Sequence, residues 1–270
     1  MCYALQVDGL KKSYKSQSVL KGISFDVMKG EIFALLGING AGKTTALECI
    51  EGLRKYDSGS IIFHGKMGIQ LQSASLPEHI RGMEAVHLFA KWNRIRPDEA
   101  MLSAIGIKAL AKMQYGSMST GQKRRLHLAL ALLGDPDIIF LDEPTAGLDV
   151  EGRLSLHKEI RRLKAQGKTI VMASHDMAEI ETLCDRIGIL KDGVLIFMGT
   201  AGELTEKIGR HYMIHIKTDQ GEEHLESDNI GETLLERLES CKQRGLAVLD
   251  VKIDQGTLEQ HFINISGGAG

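Results

Sequence analysis

The sequence predicts an α/β fold: a core of mixed β-sheet with flanking helices, a helical subdomain inserted at about residues 73–135, and a small α+β extension from 211 onwards. Three observations predict it. Short apolar runs separated by glycine turns fill roughly the first sixty residues, the pattern of strands. The continuous apolar runs Asp137–Leu141 and Thr169–Ala173 have the character of strands buried on both faces of a parallel sheet. Between these two regions the apolar residues fall at helical spacing instead.

The elements follow in order. Tyr3–Val7, Ser24–Val27, Glu31–Leu36 and Ser60–His64 read as strands. Thr44–Ile50 reads as a helix stopped by Gly52, and Met67–Gln72 is a further short run. Glu84–Ala90, Asp98–Ile105 and Gly121–Leu133 have helical spacing. The buried strand Asp137–Leu141 is followed by an amphipathic helix Gly152–Gln166, the strand Thr169–Ala173 and a helix Met177–Leu183. Ile187–Leu190 and Val194–Phe197 bracket Lys191-Asp192-Gly193, a hairpin signal. Farther on, Tyr212–Lys217 alternates like a strand, Glu232–Arg244 is helical, Leu246–Ile253 is strand-like and Thr257–Ile265 is helical again. Two domains follow from this, 1–210 and 211–270, the second ending in a tail, Ser266–Gly270, whose composition predicts flexibility.

Gly37-Ile38-Asn39-Gly40-Ala41-Gly42-Lys43-Thr44 fits the pattern G-x-x-x-x-G-K-[ST] with nothing missing. It lies between a buried strand and a helix start, so turn N–H groups and a helix N-terminus converge on one spot that favours an anion. The predicted nucleotide contacts here are Gly37, Asn39, Gly40, Ala41, Gly42, Lys43, Thr44 and Thr45. Lys43 would reach the β- and γ-phosphates, and the Thr44 hydroxyl would ligate Mg²⁺.

Phe140-Leu141-Asp142-Glu143-Pro144 places two acids at the end of a hydrophobic strand. Asp142 suits a Mg²⁺ ligand, directly or through water. Glu143 alternates to the other side and can orient or deprotonate an attacking water. His175 follows a buried strand; read alone, it suits a γ-phosphate contact and a helix N-cap equally, though Asp176 suits the cap better. Tyr14, at a β-turn or strand end, can stack on a base or form part of the core. By chemistry alone, Gln70 and Gln72 are equally good site residues.

Composition narrows the classes. Hydrophobic residues are 43% and charged residues 25% of 270, ordinary for a soluble globular protein with a real core. The net charge of −2 predicts no general pull toward nucleic acid or acidic lipid. Lys123-Arg124-Arg125 and Arg161-Arg162 fall in helices and read as solvated faces. Cys2, Cys49, Cys184 and Cys241 are far apart, which fits a reduced, cytosolic compartment. The N-terminus has no signal-peptide pattern, and no run approaches the roughly 18 apolar residues of a spanning helix. Any membrane role therefore requires a partner.

In this order, these residues closely resemble the ATP-binding subunit of an ABC transporter, over roughly residues 3 to 205. Residues 37–44 look like the Walker A motif, and I-I-F-L-D-E at 138–143 like Walker B with its catalytic glutamate. M-S-T-G-Q at 118–122 is similar to the signature usually written L-S-G-G-Q, and A-G-L-D at 146–149 to the D-loop. His175 resembles the switch histidine, Gln72 the Q-loop glutamine, and Tyr14 falls where the family stacks an aromatic on adenine. The signature departs from the usual form at Met118, which keeps an apolar anchor, and at Thr120, where Gly would leave more backbone freedom. Ile38 stands where the loop frequently has Pro.

The resemblance implies a P-loop NTPase core, ATP and Mg²⁺ as cofactors, and ATP hydrolysis coupled to transmembrane transport. It implies catalytic roles for Glu143, His175 and Lys43, Mg²⁺ ligands in Thr44, Gln72 and Asp142, and nucleotide contacts from Tyr14, Gln72, Ser119, Gly121 and Gln122 besides the loop. Two ATP-binding subunits, most simply two copies of this chain, would meet head to tail around two ATP molecules. A separate multi-span permease would dock on the helical insert and hold the pair at the cytoplasmic face of the membrane, with no nucleic acid involved. T-L-E-Q-H-F-I-N-I at 257–265 resembles a segment of ABC-2-type exporter ATPases, which serve the export of drugs, peptides, or lipids and glycans; it also reads as an ordinary amphipathic helix. Two alternatives are a soluble ABC-type ATPase acting on nucleic acid or ribosomes and a module that binds ATP without turnover. The chain carries no second ATPase domain, coiled-coil insertion or basic footprint for the first, and it retains Glu143 and His175 against the second.

Overall fold

The computed structural model describes residues 2–70, 75–208 and 212–255. It divides into two compact units, Met1–Met198 and Gly199–Gly270, so the division falls ahead of the boundary at 210 expected from the sequence.

In the first unit, β1 (Tyr3–Tyr14) and β2 (Gln17–Met28) are antiparallel and much longer than the apolar runs that announce them. Register shifts at Val7/Leu10 and the left-handed Gly9 interrupt the alternation along β1, which is why its sequence signal stops at Val7. Then come β3 (Ile32–Leu36), α1 (Lys43–Ile50), β4 (Ser58–Phe63) and β5 (Met67–Gln70). The helical insert holds α2 (Gly82–Trp92), α3 (Glu99–Ala104) and α4 (Thr120–Ala131), with two 3₁₀ turns before α4. The core resumes with β6 (Ile138–Asp142), α5 (Val150–Ala165), β7 (Thr169–Ser174), α6 (Met177–Leu183), β8 (Arg186–Lys191) and β9 (Val194–Gly199).

Strands β1, β2 and β4 form a three-stranded antiparallel sheet in the order β2-β1-β4. The larger sheet has the order β5-β6-β7-β3-β8-β9 and is parallel from β5 through β8. Every residue of β3, β6 and β7 is buried, as continuous apolar strands at the centre of a covered sheet must be. β9 returns from β8 through Asp192 and Gly193, both left-handed at φ 49 and 78, the two-residue turn whose twist suits a hairpin. Leu5, Leu20 and Phe25 of the antiparallel sheet pack with Phe33, Leu35, Phe140 and Val171 of the parallel one and with Ala46 and Leu47 of α1. The loop between β3 and α1 thus hangs from two buried elements.

The second unit contains α7 (Ala201–Ile208), β10 (Tyr212–Thr218), β11 (Gly221–Ser227), α8 (Ile230–Gln243) and β12 (Val248–Gln255). Its sheet is antiparallel in the order β11-β10-β12. β11 escapes a hydrophobicity reading because Glu222, Glu223, His224 and Glu226 dominate it. The helix expected at 257–265 lies outside the described residues.

Candidate active site

The loop after β3 requires glycine at two positions for different reasons. A Cβ on Gly37 would stand 2.5 Å from the Leu190 carbonyl oxygen, so only hydrogen fits there. Gly42 is left-handed at φ 105 and forms the N-cap of α1. No side chain caps α1 and its first turn holds no acid, which leaves its N–H groups facing the loop. The helix begins at Lys43, one residue earlier than the sequence indicates.

Lys43 is only 6% exposed, yet its Nζ donates to the carbonyls of Gly37 at 2.7 Å and Ile38 at 3.3 Å and stands 4.0 Å from Glu143 Oε1. Burial pushes its pKa down, against the opposing pull of the Glu143 and Asp142 carboxylates. A cavity of about 350 Å³ is lined by Asn39, Gly40, Gly42, Lys43, Thr44 and Thr45 from the loop, by Glu143, and by Val19. No motif identifies Val19. It reaches the loop from β2, its carbonyl oxygen lying 3.2 Å from where a Cβ on Gly42 would be.

Asp142 ends β6 beside this loop, and Glu143 follows it. The Thr44 hydroxyl sits beside the Asp142 carboxyl and pulls its pKa down, but burial pushes it up further. Asp142 Oδ1 is buried with no hydrogen-bond partner. A hydroxyl beside an under-satisfied carboxylate oxygen is a donor set that suits a hard cation such as Mg²⁺. Arg124 of α4, its pKa lowered by burial, feels the opposing pull of the Asp142 and Glu143 carboxylates. Glu143 has a left-handed backbone at φ 48, rare for a residue with a side chain, and its N–H donates to Ala173 O at 3.0 Å. His175 Nδ1 lies 2.7 Å from Glu143 Oε2. The N-cap of α6 is Asp176, which accepts from the Glu179 N–H at 3.1 Å, so His175 is not committed to that task.

The other predicted residues lie elsewhere. Tyr14 is the last residue of β1 and does not line the loop cavity; Lys12 Nζ and the Arg54 guanidinium each sit 5.3 Å from its ring centroid. Gln70 is buried in β5, its amide atoms without hydrogen-bond partners, while Gln72 lies outside the described residues. Ser119 caps α4, with its Oγ accepting from the Gln122 N–H at 3.3 Å and the Gln122 side chain accepting from the Ser119 N–H at 2.9 Å. Thr120 is the first helical residue of α4, a backbone that any residue adopts, so this departure costs no conformational strain. Ser119, Gly121 and Gln122 line a second cavity of about 570 Å³ with Gly147, Leu148 and Asp149. It shares no residue with the loop cavity, so one chain does not bring the two residue sets together.

Over 78% of its length the chain is 35% identical to the linearmycin resistance ATP-binding protein LnrL of Bacillus subtilis (strain 168), covering 74% of that protein. The chain belongs to the ABC transporter family. The family model described as "ABC transporter" matches residues 20–146 of this ABC ATPase. It is also 34% identical to the Nod factor export ATP-binding protein I of Ralstonia nicotianae (strain ATCC BAA-1114 / GMI1000), over 76% of this chain and 70% of that one. Among solved structures, the ATP binding subunit of an ABC transporter superposes with a TM-score of 0.67 at 27% identity, over 76% of this chain and 92% of that one. The P-loop NTPase fold expected from the sequence is therefore the fold observed, and this ABC ATPase couples ATP hydrolysis to transport.

Proposed function

We propose that this chain powers export through a separate multi-span permease, working as an ATP-induced pair of subunits. The carrying observation is the placement of Glu143, which lines the phosphate-loop cavity between Lys43 at 4.0 Å and His175 at 2.7 Å. In this reading Lys43 turns from the Gly37 and Ile38 carbonyls to the β- and γ-phosphates, where charge-assisted hydrogen bonds are stronger than neutral ones. The loop N–H groups and Thr45 hold the remaining phosphate oxygens. Glu143 orients the attacking water and takes its proton, and His175 fixes the carboxylate while presenting its exposed ring edge to the γ-phosphate. Thr44, Asp142 and Gln72 would hold Mg²⁺, which when bound neutralises charge on the β- and γ-phosphate oxygens. Tyr14 stacks on the adenine in this reading, which requires its ring to exchange contact with Lys12 or Arg54 for the base.

The separation of the two cavities supports pairing. A γ-phosphate on Lys43 can also meet Ser119, Gly121 and Gln122 only if a second subunit supplies them. Hydrolysis then removes the ligand shared by both sets of donors, and the pair opens. The permease docks on the helical insert, where α2 exposes Leu88, Phe89 and, at 83%, Trp92. Among the described residues no helix is long and apolar enough to cross a membrane, and in this reading the permease supplies the membrane path and holds the pair at the cytoplasmic face. Export of a drug, peptide, or lipid or glycan is supported by the relatives, one a linearmycin resistance protein and one a Nod factor export protein. The ATP cycle belongs to the first domain, and the α+β extension is a separate module. The test is affinity purification of the tagged chain from gently solubilised native membranes. A co-purifying multi-span protein is expected; recovery with ribosomes or nucleic acid alone overturns the reading.

A further inference from the structure

Glu179 is 2% exposed, more deeply enclosed than Asp142 or Glu143. It sits in the first turn of α6. Its Oε2 accepts from Ser174 Oγ at 2.8 Å and from Thr145 Oγ1 at 3.1 Å. Ser174 ends β7 immediately before His175, and Thr145 follows Glu143 by two residues. A single carboxyl therefore ties together the two segments that carry the Glu143–His175 contact. Its other oxygen, Oε1, lies 3.4 Å from His157 Nε2 of α5.

Burial pushes the pKa of the Glu179 carboxyl up and that of the His157 imidazole down. Neither Oε1 nor His157 Nε2 makes a hydrogen bond, so the two hydroxyls on Oε2 carry the tie. The tie also acts on a strained backbone. A left-handed glutamate persists only where its surroundings enforce it. Here the enforcing contacts are the Glu143 N–H to Ala173 O at 3.0 Å, the Ala146 N–H to Glu143 O at 3.2 Å, and the hold on Thr145. Release of Thr145 leaves the turn free to relax and carry the Glu143 carboxylate off the cavity. A second link runs beside it, from Arg153 of α5 to Asp176 at 2.9 Å, on the other side of His175.

We propose that Glu179 is a positioning residue for ATP hydrolysis, clamping Thr145 to Ser174 so that Glu143 and His175 stay together at the phosphate-loop cavity. The proposal rests on the reading of Glu143 as the water-orienting residue. Steady-state MgATP hydrolysis by the full chain tests it, with thermal unfolding to show that each variant is folded. Thr145→Val keeps the shape and removes only the donor; kcat should fall by about tenfold or more, with KM for ATP changed by less than about twofold. Glu179→Gln keeps the shape and an oxygen that can accept from both hydroxyls, so kcat should stay within about threefold of the parent. Glu179→Ala should be at least as slow as Thr145→Val. Parental kcat in Thr145→Val, or a Glu179→Gln enzyme as slow as Glu179→Ala, overturns the proposal, because a merely structural acid gives no such split. Glu143→Gln run alongside separates the two claims. If it hydrolyses ATP at the parental rate the underlying site reading fails, whereas if it is inactive and Thr145→Val is not, only the role of Glu179 fails.

Discussion

His175 Nδ1 and Glu143 Oε2 lie 2.7 Å apart although the residues are separated by 32 positions in the chain. Their meeting is a product of sheet order, since each follows the end of one of two adjacent parallel strands, β6 and β7. Two side chains joined this way act as a unit, and their losses should not add. Glu143→Gln is expected to lower kcat for ATP hydrolysis by about 10²-fold or more and to trap an ATP-bound dimer visible by size exclusion. His175→Ala should cost a similar factor, and the double variant should be little slower than either. A double variant slower by the product of the two factors means that the residues act independently.

Lys43 donates to two loop carbonyls and is nearly enclosed, so it waits at the place where phosphate would arrive. Lys43→Ala should weaken ATP binding by about 10- to 100-fold, the worth of one charge-assisted hydrogen bond to phosphate. Titration with a fluorescent ATP analogue measures this, and unchanged affinity argues against the phosphate-loop role.

The hairpin turn between β8 and β9 braces the same cavity from outside. The Lys21 N–H donates to Gly193 O at 2.8 Å, and a Cβ on Gly193 would fall 2.1 Å from Val19 O. Gly193 is also left-handed, at φ 78. Gly193→Ala should therefore cost about 1–3 kcal/mol of stability, read as a lower urea midpoint, and should weaken nucleotide binding by displacing Val19. A variant as stable as the parent means that this contact relaxes at no cost.

His127 of α4 is buried against Tyr115, its Nε2 3.1 Å from the phenol oxygen, and burial lowers its pKa to about 4 from an ordinary 6.5. The sign follows from proton uptake. Between these two values the unfolded chain holds a proton on His127 that the folded chain lacks, so its contribution to stability is complete above 6.5 and is lost as the pH falls toward 4. From pH 7 to pH 5 the loss should be about 2 kcal/mol. Urea unfolding at the two pH values should show it, and His127→Gln should flatten that part of the profile.

Trp92 is 83% exposed on α2 beside Leu88. Its replacement by Ala should change stability by less than about 0.5 kcal/mol, as for most surface sites. It should also reduce recovery of the permease in membrane pull-downs while leaving detergent-free ATPase activity unaffected. Undiminished recovery places the docking surface elsewhere.

The parts of this molecule that could be read from its sequence are those in which neighbouring residues carry the signal. The phosphate loop is one, because strand, glycine turn, Lys43 and helix start are contiguous. The fully buried strands β3, β6 and β7 are others, since enclosure on both faces demands unbroken apolar runs. β1 and β2 were readable only at their apolar ends, and β11 not at all, because strands with polar or charged faces are held by cross-strand hydrogen bonds rather than by a hydrophobic pattern.

The sequence by itself determined which side-chain types stand at the loop after β3 and which acids stand at the end of β6. Only the tertiary structure decided their company. It brought Val19 to the loop, set His175 on Glu143, enclosed Glu179 between Thr145 and Ser174, and kept the Ser119 cavity apart from the Lys43 cavity. The physical reason is that motif chemistry resides in side-chain type and short spacing, whereas these contacts depend on which strands lie side by side and on the left-handed turn at Glu143. Both are settled by the packing of the whole domain.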